Sequence, residues 1–85
     1  MSEPREHRLK RLQMRSMRRG IREMDMILTA WAKANLGSLS DAQLDTYDAL
    51  LNENDQDLYQ WVTGQVVPPE AFRTMIGQIA QIFQK

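Results

Sequence analysis

The constraint that leaves this chain least freedom is the spacing of its apolar residues, which recur at intervals of three and four along most of its length. The pattern is clearest near the C-terminus, where Phe72, Met75, Ile76, Ile79, Ile82 and Phe83 fall on one face of a 3.6-residue helix. There is no strand-like alternation, no internal repeat and no low-complexity tract. The expected fold class is all-α, a small five-helix bundle forming a single domain over residues 1–85, with residues 1–4 expected to be flexible. A chain of 85 residues supports one modest core but not an enclosed cleft with walls of its own, which argues against an autonomous enzyme.

The helices can be placed by their end signals. Ser2 is an N-cap candidate, and Pro4 with Glu3 and Glu6 suits a first turn, so a first helix is predicted from about Arg5 to Arg18. Its thin stripe of Leu9, Leu12, Met14 and Met17 leaves the arginines to solvent. The second helix runs from Ile21 on Ile21, Met24, Leu28 and Trp31, widened by Ile27 and Ala34, and Asn35-Leu36-Gly37-Ser38 stops it with Gly37 suited to a left-handed turn. Ser40, followed by Asp41 and Gln43, forms a capping box for the third helix, whose apolar face is Leu44, Tyr47, Leu50 and Leu51. Asn54 or Asp55 caps a short fourth helix from about Gln56 to Thr63, ended by Gly64. Val66-Val67-Pro68-Pro69 is an extended connector, and Pro69 opens the fifth helix with Glu70 in its first turn. Trp31, Tyr47, Tyr59, Trp61 and Phe72 are assigned to the core or its edge, and the methionines to adaptable packing.

Composition removes whole classes of chemistry. Without cysteine there is no disulfide, thiolate nucleophile or thiolate metal site, and a single histidine, His7, rules out a histidine-based zinc site or catalytic triad. Asp41, Asp45 and Asp48 read as a solvated helix face before they read as a cation site, because hard cations need six or more converging oxygens. No apolar run reaches the ~20 residues of a membrane span, and no secretory segment follows Met1, so the expectation is a protein of the reducing bacterial cytoplasm with no direct membrane insertion. Eleven basic and eleven acidic residues cancel, but their order is uneven. Arginines crowd residues 1–26, whereas residues 35–60 carry Asp41, Asp45, Asp48, Glu53, Asp55 and Asp57 and no base, so a molecule with a basic end and an acidic end is expected.

One stretch departs from the helical pattern. In Arg18-Arg19-Gly20-Ile21-Arg22-Glu23-Met24-Asp25 a basic run meets a glycine, which costs about 1 kcal/mol against alanine inside a helix and so marks either a break or a place of close approach. On a continuous helix Arg19 and Glu23 would share a face. Arg19-Gly20-Ile21-Arg22-Glu23 resembles the RGxxE signature of the succinate dehydrogenase flavinylation (assembly) factor family, the bacterial SdhE type, also called the CptB antitoxin family. Arg18 before the motif and Asp25 after it fit the same pattern. So do Leu39-Ser40-Asp41, Leu50-Leu51, and Asp55-Gln56-Asp57-Leu58-Tyr59-Gln60-Trp61 with Gly64, so that the resemblance covers nearly the whole chain.

The resemblance implies a helical assembly factor that is not itself an enzyme. Members bind the flavoprotein subunit of succinate dehydrogenase, and often that of fumarate reductase, and promote covalent attachment of FAD to a histidine of that subunit. Carried onto this chain, it makes Arg19, Gly20 and Glu23 the partner and flavinylation interface, with Arg18 and Asp25 as neighbours. It implies a monomer that holds no tightly bound cofactor, the FAD being attached to the partner. Two rival readings differ in class: an interaction module acting as an antitoxin, and a nucleic-acid-binding protein using its arginine-rich first helix. The second is opposed by zero net charge and by the absence of a known reader motif.

Overall fold

The computed structural model describes residues 3–83, the last by its backbone only. Among these residues there are five α-helices and no strand: α1 (Arg5–Arg15), α2 (Arg22–Asn35), α3 (Asp41–Leu50), α4 (Asp55–Val62) and α5 (Glu70–Phe83), with a 3₁₀ turn at Leu36–Ser38. The five-helix, all-α expectation holds. α2 and α5 pack against each other at the centre, with α4 against both, α1 on α2, and α3 on α5. The core they enclose includes Met24, Leu28, Trp31, Leu44, Tyr47, Leu58, Val62, Ile76 and Ile79. Ser2 and the side chain of Phe83 lie outside the described residues. Glu3, from the segment expected to be flexible, accepts a hydrogen bond from Arg11 at 3.0 Å.

Several end signals work as the sequence proposes. Ser40 accepts from the Gln43 amide, and the Gln43 side chain accepts in turn from the Ser40 amide at 2.8 Å, completing the capping box. Asn54, of the two candidates, caps α4 by accepting from the Gln56 amide. At its other end Gly64 adopts φ 82°, and the Gln65 amide reaches back to the Gln60 carbonyl at 2.8 Å, a Schellman closure that a Cβ would strain. Trp61 is half-buried against Phe72, ring centroids 6.0 Å apart, and Trp31 lies 5.2 Å from Tyr47.

Four expectations are corrected. Gly37 is not left-handed, since Leu36–Ser38 closes α2 with a tighter turn instead. α1 stops at Arg15, three residues early. Its inward face is Leu9, Leu12 and Ser16, spaced three and four apart, which leaves Met14 and Met17 facing out, 67% and 43% exposed. The charge halves do not form opposite ends of the molecule. α1 lies alongside α3, and Arg5 pairs with Asp41, Arg8 with Asp45, Arg11 with Asp48 and Arg15 with both Asp48 and Asn52. Most of these pairs are separated by 36 or 37 residues, so the two segments run in the same direction in constant register. The arginines read as solvated, and the acids read as a separate solvated face, are each other's partners.

Candidate functional site

Between α1 and α2 the chain turns through residues 16–21, and this corner holds the motif. The turn begins at Ser16, which is fully buried, donates to the Leu12 carbonyl at 2.8 Å and shares a 2.5 Å hydrogen bond with the Tyr47 hydroxyl. A polar residue so deep anchors the end of α1 to α3. Arg18 then adopts φ 59°, the left-handed region that costs a side-chain-bearing residue about 1–2 kcal/mol. Its amide donates to Asp25 Oδ2 at 3.0 Å, and Asp25 Oδ1 accepts from Thr29, so the fourth residue of α2 supports the strained turn. Asp25 is therefore directed inward, half-buried, as a brace.

Arg19 also turns inward. With only 12% of its side chain exposed, it donates through Nε to Asp55 Oδ1 at 2.7 Å, through Nη1 to the Leu51 carbonyl at 3.1 Å and to that of Arg15 at 3.4 Å, and through Nη2 to the Glu53 carbonyl at 3.3 Å. Those carbonyls lie at the end of α1 and just beyond α3, where peptide oxygens lack helical partners and a cation is favoured. Asp55 opens α4, where a carboxylate is favoured. One guanidinium thus joins three helix ends. Arg19 and Glu23 do not share a helical face, because the chain between them is not helical until Arg22. Gly20 is exposed, and its amide donates to Asp55 Oδ2 at 2.5 Å.

What remains outward is a small charged set. The side chains of Arg18, Arg22 and Glu23 are exposed, and none of them has a bonded partner among the described residues. Met26, 64% exposed, follows one turn after them on α2. Beside Gly20 lies a shallow depression of about 320 Å³ lined by Gly20, Ile21, Asn54, Asp55 and Gln56. The structure therefore divides the five residues singled out by sequence: Arg18, Gly20 and Glu23 reach the surface, while Arg19 and Asp25 frame them from behind. It adds Arg22, which lies inside the motif at a position the signature leaves open, and Asp55, which lies in the separate Asp55-to-Trp61 block whose relation to the motif only the fold shows. Neither the outward placement of Arg22 nor the pairing of Asp55 with the motif follows from spacing in the sequence.

Residues 10–83 match the family described as "Flavinator of succinate dehydrogenase". A relative from Meyerozyma guilliermondii, named "Succinate dehydrogenase assembly factor 2, mitochondrial", is 45% identical over 84 residues, covering 98% of this chain and 62% of the relative. Relatives of the same name from Danio rerio and Dictyostelium discoideum are 37% and 33% identical over 78 and 72 residues, covering 89% and 85% of this chain and 49% and 51% of theirs. The chain spans about half to three fifths of the length of these three relatives. On the match over residues 10–83 and the near-complete alignment at 45% identity, the chain belongs to the family of flavinators of succinate dehydrogenase.

Proposed function

We propose that this chain is an assembly factor that binds the flavoprotein subunit of succinate dehydrogenase and promotes covalent attachment of FAD to it. The family match over residues 10–83 carries this reading. The geometry supports one face as the interface. Arg5, Arg8, Arg11, Arg15 and Arg19 are each bonded within the chain, whereas Arg18, Arg22 and Glu23 surround the exposed Gly20 with their charges unspent. The braced backbone of the corner spares a partner the cost of ordering the main chain, leaving only the side chains to be ordered.

The chain acts as a helper, with bond formation left to the flavoprotein. Attachment requires a histidine aligned with an electron-poor flavin, and a bound partner accelerates such a step by ordering the mobile segment that carries the reacting groups. Glu23 accepts hydrogen bonds from that segment, and Arg18 and Arg22 meet its acidic side chains. The reading has this corner bind no free FAD tightly, in keeping with a depression beside Gly20 of about 320 Å³, at the small end of the ~300–1,000 Å³ typical of ligand sites. Submicromolar affinity in a fluorescence titration would overturn that point. We extend the proposal to fumarate reductase as a second client, to a monomeric state and to the bacterial cytoplasm, which client pull-down, light scattering and cell fractionation test respectively.

A nucleic-acid role loses its premise, since the α1 arginines that phosphates would need are occupied by aspartates. The antitoxin alternative has no feature of its own among the described residues to favour it. The test of the main reading is deletion of the gene followed by in-gel detection of covalent flavin on the flavoprotein subunit. Loss of the fluorescent band is expected, and its full persistence would refute the assignment. With purified components, Glu23→Gln should slow covalent FAD incorporation at least several-fold without lowering the melting temperature. Unchanged kinetics would remove Glu23 from the interface.

A further inference from the structure

The corner poses a question that the outward residues do not answer: what requires an arginine at 19 and a glycine at 20, when one is turned inward and the other has no left-handed backbone to justify it? Both point to the same group. Asp55 is only 17% exposed in its side chain, and its two oxygens are divided between them, Oδ1 to Arg19 Nε at 2.7 Å and Oδ2 to the Gly20 amide at 2.5 Å. A Cβ built on Gly20 falls 3.0 Å from that same Oδ2, tighter than ordinary contact. The oxygen must retreat from the added methyl by a few tenths of an ångström, and that movement lengthens its bond to the Gly20 amide and pulls against Arg19 on the other oxygen. Nor can Asp55 swing aside freely, because the turn before it is held through the Leu51 and Glu53 carbonyls by the same arginine.

We propose that Asp55 is the positioning residue of the motif: its carboxylate clamps the Arg19-Gly20 peptide, and this internal clamp, not a partner's approach, imposes the glycine. The clamp sets where Arg18 on one side and Arg22 and Glu23 on the other are displayed, and its functional consequence rests on the reading that this corner meets the flavoprotein. α4 thereby acts on the interface through the backbone that Asp55 holds. Asp55 works through the backbone at 19–20, so its loss alters presentation of the charges and not their identity.

The test is a coupling experiment on the purified full chain. Gly20→Ala, Asp55→Ser and the double variant are compared by urea denaturation, and by flavinylation of purified apo-flavoprotein with FAD below the melting temperature of every variant. If the clamp imposes the glycine, alanine at 20 is harmful with Asp55 present and nearly neutral once Asp55→Ser has removed Oδ2. Equal loss in both backgrounds would overturn the proposal. If Asp55 positions the motif, Asp55→Ser should raise the half-saturating concentration of the chain about tenfold with the maximal rate little changed. A lowered melting temperature with unchanged half-saturation would show that Asp55 is only structural. Should these variants fold poorly, the native chain still decides: the Gly20 amide proton should resonate far downfield and resist exchange. Rapid exchange at an ordinary chemical shift would sink the clamp. Failure of the functional reading looks different, since flavinylation would then ignore Glu23→Gln as well while the coupling in stability persisted.

Discussion

Arg18 and Arg19 are chemically identical neighbours with opposite fates. The left-handed turn at Arg18 reverses the chain so that Arg19 falls onto the helix ends and Arg18 points to water. A strained, unpaired arginine beside a proposed interface is the kind of site at which stability is given up for function. Arg18→Gly should therefore stabilise the fold by about 1 kcal/mol, raising the melting temperature by roughly 4–8 °C, because glycine adopts positive φ without the Cβ penalty. The same variant should weaken flavinylation if the guanidinium meets the partner. A calorimetric scan with no upward shift would show that the turn carries no strain. Sequence could nominate this pair of arginines but not divide their roles, since the division depends on a dihedral angle stabilised by Asp25.

At the level of elements, α1 is held differently from the others. Leu12 is its only fully buried apolar residue, and it is the arginine ladder onto α3 that fixes its register. Exposed pairs contribute about 0–1 kcal/mol each, so the ladder aligns α1 more than it stabilises the molecule. Asp48, shared by Arg11 and Arg15, is the central rung. Burial raises the pKa of its carboxyl, but hydrogen bonds and charge from the two arginines outweigh that and hold it below the usual carboxylate value. A lowered folded value means that the stability it contributes is present above the unfolded pKa and lost as pH falls through the folded one. α1 should thus loosen first in acid. Asp48→Ala should raise hydrogen exchange across α1 at neutral pH about fivefold, equivalent to about 1 kcal/mol, while α2 and α5 stay protected. Uniform loss of protection in all helices would contradict this. The ladder explains why the sequence misled over charge: runs of opposite sign 36 or 37 residues apart look like two poles until the fold lays them side by side.

For the molecule as a whole, Tyr47 joins α3 to Ser16 at the end of α1 and to Trp31 on α2 from a fully buried position. Burial pushes its hydroxyl from 10.0 up to about 12. Because the folded state keeps that proton longer than the unfolded chain does, stability is unaffected below about pH 10 and declines between about 10 and 12. Tyr47→Phe should cost about 1 kcal/mol at neutral pH through the lost hydrogen bond, yet flatten this alkaline decline in denaturation curves taken from pH 9 to 12. A decline as steep in the variant would assign it to other groups. The apolar periodicity, the capping box at Ser40 and the stop at Gly64 determined the number and order of the helices and the ends of α3 and α4 from the sequence alone, because those signals act within a turn or two of the chain and need no distant partner. The motif was legible as a string for the same reason. Which of its residues face outward was not, because the Asp55 that holds Arg19 and Gly20 lies 36 and 35 residues away. Only the packing of α4 against the central helices brings that carboxylate to the corner, and with it the division of Arg18 to Asp25 into a frame and a face.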